Sequence, residues 1–248
     1  MTTQRFHPPI DFIRIDHVKI SLEPWRWEFA ESRRGEIDQH FERRQIELPQ
    51  LWNGRALLLR QYAIRDGVLQ GTCFETDYAS LLAWRDWEFP DREVYNFFAA
   101  AALQSADGAY LIGEMAPHTA SAGQWYFPCG TPEPSDVDAS GKLDLVNNLR
   151  RELQEETGLD IDDFKVEPSW VLVHDRGFLA FMRPLVANDD ADMLRSKIQR
   201  YLAKEQQPEF SDVRFVRRVD ELDDRIAHLY RAFLLNLLTG LGNNSQRL

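Results

Sequence analysis

The stretch RELQEETGL (Arg151–Leu159) places Glu152, Glu155 and Glu156 at i, i+3 and i+4. On a helix this spacing gathers three carboxylates on one face, with Cβ atoms within about 6 Å of one another. Like charges so close repel, and a hard divalent cation is what relieves them. Magnesium in particular takes oxygen ligands, waters and substrate phosphates. The spacing predicts a helix from Asp144 to Thr157, with Leu145, Leu149 and Leu153 forming an apolar stripe against a core and Gly158 terminating it. Three glutamates on a charged helix would by themselves suit a solvated face equally well, so the neighbouring sequence has to decide between the two.

Toward the N-terminus, WYFPCG (Trp125–Gly130) ends a strand, and VYNFFAAAAL (Val94–Leu103) and AYLIGEM (Ala109–Met115) are strands joined by a turn at Ala106-Asp107-Gly108. Earlier still, Ala56–Thr76 is a hairpin turning at Asp66-Gly67, and Asp77–Trp87 is a helix capped by Thr76 and closed off by Pro90. Ile13–Leu22 alternates as one half-buried strand, followed by a charged helix from Pro24 to near Pro49. Toward the C-terminus, Ser169–Val186 is a hairpin about Asp175-Arg176-Gly177. An amphipathic helix carrying Leu194, Ile198, Tyr201 and Leu202 comes next, then a strand at Val213–Val219, a last helix bearing Ile226 to Leu237, and a frayed tail after Gly240. Strands and helices alternate without a βαβ repeat, which predicts a mixed sheet covered by helices.

The composition is globular: 248 residues, 44% hydrophobic and 28% charged. No stretch approaches the roughly 18 apolar residues of a membrane span, and the N-terminus lacks a basic-then-apolar leader, so a cytoplasmic protein is expected. Cys73 and Cys129 are too few for a disulfide framework and lack zinc spacing. A net charge of −11 disfavours nucleic acid as partner, because binding a polyphosphate depends on clustered Lys and Arg. It leaves room for a small anionic substrate whose charge metal ions offset.

RELQEETGL matches, at every specified position, the second half of the Nudix box, R-E-apolar-x-E-E-x-G-apolar, and FPCG resembles the strand-to-loop entry of that box. The chain is therefore identified as resembling the Nudix hydrolase superfamily from about Val94 to Leu238. The fold this implies is α/β of the α+β type, an α/β/α sandwich with a mixed sheet in residues 93–238, plus an N-terminal strand and helix extension over residues 1–92 and a flexible tail at 239–248. The first half of the box departs from the pattern. Five residues after Gly130 stands Asp136 in place of the usual glutamate, and Arg151 falls seven residues late, so an insertion in Thr131–Leu143 is expected. The acidic partner of Arg151 is then Asp136, Glu133 or neither.

The resemblance implies that Glu152, Glu155 and Glu156, with the backbone carbonyl of Cys129, hold Mg2+, with Mn2+ as a substitute. Arg151 braces a carboxylate, and Gly130 and Gly158 support the geometry. EFSDVRF (Glu209–Phe215) resembles the acidic segment ahead of a late strand, making Glu209 and Asp212 candidates for a further ligand or the general base. The implied activity is hydrolysis of a phosphoanhydride bond in a nucleoside diphosphate linked to another group. Trp52–Leu82 resembles the region ahead of the catalytic domain in Nudix enzymes that split UDP-sugars, which would give UMP and a sugar 1-phosphate. ADP-ribose or another dinucleotide is the alternative substrate, and a nucleotide-sensing module without turnover is the alternative of another class. The extension would complete the substrate pocket or form a homodimer interface. The Trp side chains, His118 and His174 are expected to be structural.

Overall fold

The computed structural model describes residues 10–240, so the expected tail after Gly240 lies outside the described residues. The twelve strands are β1 (Asp11–Ile15), β2 (His17–Leu22), β3 (Arg55–Arg65), β4 (Val68–Asp77), β5 (Asn96–Gln104), β6 (Tyr110–Met115), β7 (Trp125–Tyr126), β8 (Cys129–Gly130), β9 (Lys165–Val166), β10 (Trp170–Asp175), β11 (Phe178–Val186) and β12 (Phe210–Val216). The helices are α1 (Glu28–Ser32), α2 (Arg34–Glu47), α3 (Tyr78–Asp86), α4 (Leu145–Thr157), α5 (Ala191–Leu202) and α6 (His228–Thr239).

The larger sheet runs β1-β10-β11-β5-β6-β12, with β7, β8 and β9 paired at its margins. It is mixed: β11 and β5 are parallel and their other partners antiparallel. The apolar run of β5 has a simple cause, since both of its faces are covered. Phe97, Ala99, Ala101 and Leu103 join the core under α4 and α5, whereas Phe98, Ala100 and Ala102 join the core under α6. The result is the α/β/α sandwich.

A smaller sheet, β2-β4-β3, carries α1, α2 and α3. Its hairpin turns where expected, with Asp66 at φ 49° and Gly67 at φ 73°. Ile20, Leu57, Leu59, Leu69 and Cys73 of this sheet are buried in the same cluster as Leu145, Leu149 and Leu153 of α4. The two sheets therefore share one core.

Several boundaries differ from the sequence reading. Ile13–Leu22 is two strands, because the chain breaks at Asp16 and leaves β1 on the large sheet and β2 on the small one. The charged helix is α1 and α2, interrupted at Arg33. Asp77, not Thr76, caps α3, accepting from Ser80 N at 2.9 Å. Val213–Val219 shifts to Phe210–Val216, which puts Asp212 inside the strand and Glu209 just ahead of it. Ile226 precedes the last helix instead of belonging to it. Among the described residues no helix is long and apolar enough to cross a membrane.

Candidate active site

The helix α4 is fixed at both ends. Asp144 accepts from Val146 N and Asn147 N, and Gly158 closes the C-terminus at φ 70°, with its N–H donated to Gln154 O. Leu149 and Leu153 are fully buried beneath it. Glu156 is buried too, at 2% exposure, and its Oε2 accepts from Cys129 N at 2.8 Å. Glu152 is nearly buried and lies against the backbone of Gly130. A Cβ built on Gly130 would stand 2.0 Å from the Glu152 carboxyl carbon, so only glycine permits this approach. Glu155 differs from the other two, pointing outward with 60% of its side chain exposed.

Arg151 resolves the question of its partner. Its Nη2 donates to Asp136 Oδ2 at 3.0 Å, while Nη1 lies 2.8 Å from Glu152 and 3.3 Å from Glu155. Asp136 is fully buried and also accepts from Glu133 N and Asn148 Nδ2. Glu133 serves the 3-10 turn Pro134–Asp136 as a cap. The insertion is the seven residues Val137–Leu143, pinched off by Asp144 N donating to Asp136 O at 2.8 Å. Within it Val137 pairs with Leu143, and Asp138 N donates to Lys142 O. Outside it, Leu143 N reaches Ile20 O and Gly141 O receives Leu22 N, so the excursion docks along β2 of the small sheet.

Glu209 joins the glutamates and Asp212 does not. Asp212 Oδ1 receives its own strand's Val213 N and a long 3.5 Å contact from Gln199 on α5. Glu209, at the start of β12, is held by its carbonyl, which accepts from Ala116 N. Glu209 is exposed as a residue, but desolvation of its carboxyl pushes that group up from the ordinary range, and Glu155 adds to this. Burial likewise raises Glu152 to about 7, partly opposed by Arg151 and reinforced by Glu155 and Glu209. Glu156 is pushed well above its ordinary value, by burial first and then by Glu209 and Glu152.

Acceptor oxygens therefore outnumber donors at this spot. Asp136 Oδ1 and Asn148 Oδ1 are buried without a hydrogen-bond partner as well. The donor set, carboxylates with backbone carbonyls, fits a hard divalent cation. Among the described residues no three His, Cys, Asp or Glu side chains already stand in metal-binding geometry. The reason is visible in the contacts: Arg151 draws Glu152 and Glu155 toward itself, and Cys129 N–H holds Glu156.

A cleft of about 440 Å³ opens beside these groups, lined at one end by Glu156, Glu209, Cys129 and Gly130. Its walls include Phe98, Phe178, Tyr126 and Tyr230. The Cys129 thiol is a wall group without nucleophilic character, since burial and then Glu156 push its pKa up and its Sγ lies 2.9 Å from Tyr230 Oη. The lining also holds Arg85 of α3, Asp175, Arg176 and His228, which the sequence reading did not single out. Asp175 is level with Phe178 and Asn96, across β11 and three residues along β5 from Ala99, the partner of Gly130, so it marks the far end of the cleft from the glutamates. Asp175-Arg176-Gly177 had only the signature of a turn, and nothing local marks Arg85. None of the seven tryptophans lines the cleft; Trp84 fills the core, whereas Trp52 is 82% exposed.

A family model for the NUDIX domain matches residues 97–237. The chain belongs to the Nudix family. Its box helix is α4, and it is a Nudix hydrolase by that membership. Similar solved structures include a Nudix hydrolase from M. smegmatis, RenU, at 16% identity and TM-score 0.42, covering 61% of this chain and 90% of that one. A C. elegans Ap4A hydrolase matches at 14% identity and TM-score 0.38, over 59% of this chain and 98% of that one. A bifunctional NMN adenylyltransferase/ADP ribose pyrophosphatase from Francisella tularensis matches at 15% and 0.39, over 63% and 45%. No curated relative matches. The Nudix match begins after α3, so β1 to α3 lie ahead of the matched region.

Proposed function

We propose that this Nudix hydrolase, with magnesium, cleaves a phosphoanhydride bond of a nucleoside diphosphate linked to another group, and that a UDP-sugar, cut to UMP and a sugar 1-phosphate, is its preferred substrate. The observation that carries the reaction type is the buried, under-neutralised pair Glu152 and Glu156, with Glu209 exposed beside them, at one end of a cleft walled in part by Phe98, Tyr126, Phe178 and Tyr230. Glu152, Glu155, Glu156 and the Cys129 carbonyl are the groups that would hold the metal, and Glu155 swings in from solvent to do so. Bound there, the ion neutralises diphosphate charge and lowers the pKa of a water. Glu209 Oε is the candidate acceptor for the proton of the attacking water, its carboxylate made more basic than an ordinary one by its surroundings. Arg151 acts on Asp136 and Glu152 as a brace and does not touch substrate.

The UDP-sugar assignment rests on the likeness of Trp52–Leu82 and is supported by its position: the segment leads into α3, whose Arg85 lines the cleft. Residues 93–238 would then be the catalytic unit and the preceding segment the part that completes its pocket. The test is hydrolysis in oxygen-18 water with Mg2+, comparing UDP-glucose, ADP-ribose, dinucleotides and nucleoside triphosphates by mass spectrometry, with Glu156→Gln as the control expected to lose turnover by orders of magnitude. Preference for ADP-ribose, or cleavage of a triphosphate to monophosphate and pyrophosphate, would sink the UDP-sugar assignment alone. Absence of any metal-dependent monophosphate release would sink the hydrolase reading and favour a sensing module.

A further inference from the structure

The far end of the cleft has the features of a recognition site. Asp175 ends β10 with 5% exposure, its Oδ2 lying 3.1 Å from His228 Nδ1. Its Oδ1 is buried and accepts no hydrogen bond; the guanidinium of Arg176 comes only to 3.7 Å. A buried carboxylate oxygen left without a donor carries an uncompensated desolvation cost, which a ligand supplying the donor removes. Around it stand the rings of Phe98 and Phe178, and Asn96, 7% exposed, whose Oδ1 already accepts from Thr131 Oγ1.

The rim is built at some cost in backbone energy. Of the four non-glycine residues among those described that have positive φ, Arg176 lines the cleft, and Glu88 and Phe89 form a turn behind it, where Phe89 packs on Phe178. The turn through Glu88 and Phe89 seats the Phe89 ring edge-on to Phe178, with centroids 5.1 Å apart. Gly177 makes room for it: a Cβ there would stand 2.4 Å from that ring. Left-handed conformations are unfavourable where the residue is bulky, and they persist where the surroundings dictate them.

We propose that this end of the cleft binds the neutral polar moiety of the substrate, through donation of an N–H or O–H to Asp175 Oδ1 while the flat or apolar side of that moiety packs on Phe98 and Phe178. Asp175 is then a specificity-determining residue. The inference rests on the reading of the glutamate end as the diphosphate end, which leaves the far end for what the diphosphate carries. Two sources supply such a donor, a ring N–H of the base or the vicinal hydroxyls of the sugar, and one carboxylate oxygen accepts from either.

The test avoids turnover and metal. Binding of uridine, adenosine, guanosine and methyl glucoside to the full chain is followed by ligand-observed NMR without divalent cations. At least one probe should bind, and Asp175→Asn should weaken it about tenfold or more, as expected for loss of a hydrogen bond to a charged group. Asp212→Asn, which lies outside the cleft, should bind it as the unchanged chain does. Blocking the donor on the ligand repeats the test without a variant. N-methylation of the ring nitrogen abolishes binding if the base is the source, and methylation of the sugar hydroxyls does so if the sugar is. Binding unaffected by Asp175→Asn and by both methylations, or no binding of any probe, overturns the proposal. Failure of the hydrolase reading registers separately, as no monophosphate release with Mg2+.

Discussion

Glu152 and Glu156 are held in the folded chain where their charged forms are disfavoured, and the consequence for stability has a definite sign. Between the ordinary carboxyl value of 4.5 and about 7 for Glu152, the folded state binds more protons than the unfolded one. Stability of the metal-free protein therefore falls as pH rises through that window, by up to roughly 3 kcal/mol from Glu152 alone. The melting temperature in chelator should be lower at about pH 8 than at about pH 5.5, and added Mg2+ should raise it selectively at the higher pH. A flat or rising profile without metal would contradict the burial of these carboxylates. A second expectation concerns Arg151, whose single guanidinium serves Asp136, Glu152 and Glu155. Lysine has one point charge and cannot span them, so Arg151→Lys leaves the buried Asp136 under-compensated. Loss on the order of 3 kcal/mol in denaturant unfolding, with kcat reduced and KM little changed, is expected. A raised KM at normal kcat and stability would make Arg151 a substrate contact. The three glutamates were legible because helical spacing and the box pattern coincide in nine residues. Their unequal burial was not, since it depends on Gly130 and Cys129 arriving from another strand.

The helix α4 was readable end to end because its cap residues, its leucine spacing and its terminating glycine are all local. The strand Ile13–Leu22 was not, although its alternation is just as regular: period-two patterning says that one face is buried but not which sheet does the burying, and the break at Asp16 transfers the chain between sheets. The seven-residue excursion Val137–Leu143 lies between these cases. Counting along the box exposed its length, while its docking on β2 is a tertiary fact. Because Asp144 N already donates to Asp136 O across its base, joining Asp136 directly to Asp144 should leave α4 and the Asp136–Arg151 contact in place. Deletion of Val137–Leu143 should lower the melting temperature through loss of the Leu143–Ile20 and Leu22–Gly141 hydrogen bonds, each worth about 1 kcal/mol. Metal-dependent turnover should stay within about threefold, a change of under 1 kcal/mol in the barrier. Complete loss of turnover in a folded deletion variant would mean that the excursion takes part in the site.

The match to the Nudix family starts at Phe97, yet the core of the molecule begins much earlier. Ile15, Ile20, Leu57, Leu59 and Leu69, all at or near zero exposure, lie in one cluster with Leu145, Leu149 and Leu153 of the box helix and with Phe97 and Leu103 of β5. In addition β1 pairs with β10 along the edge of the large sheet, Leu59 exchanges backbone hydrogen bonds with Tyr95, and Leu57 N donates to Pro132 O beside the site. A chain beginning at residue 93 would expose the underside of that cluster and an unpaired β10 edge. Each large aliphatic side chain so uncovered forfeits about 1.5–3 kcal/mol, and five of them amount to about 7.5–15 kcal/mol, as much as the 5–15 kcal/mol that holds a typical domain together, before the lost pairing is added. The shortened chain should therefore lack the cooperative melting transition and the dispersed methyl resonances of the full one. It should also give no metal-dependent hydrolysis, even at saturating Mg2+. Adding residues 1–92 as a separate polypeptide should restore both, since the surfaces to be buried are complementary. Should residues 93–240 instead fold alone and hydrolyse nucleotide sugars and ADP-ribose at the full chain's relative rates, the preceding segment would be a passive appendage, and Arg85 would have no part in choosing the substrate.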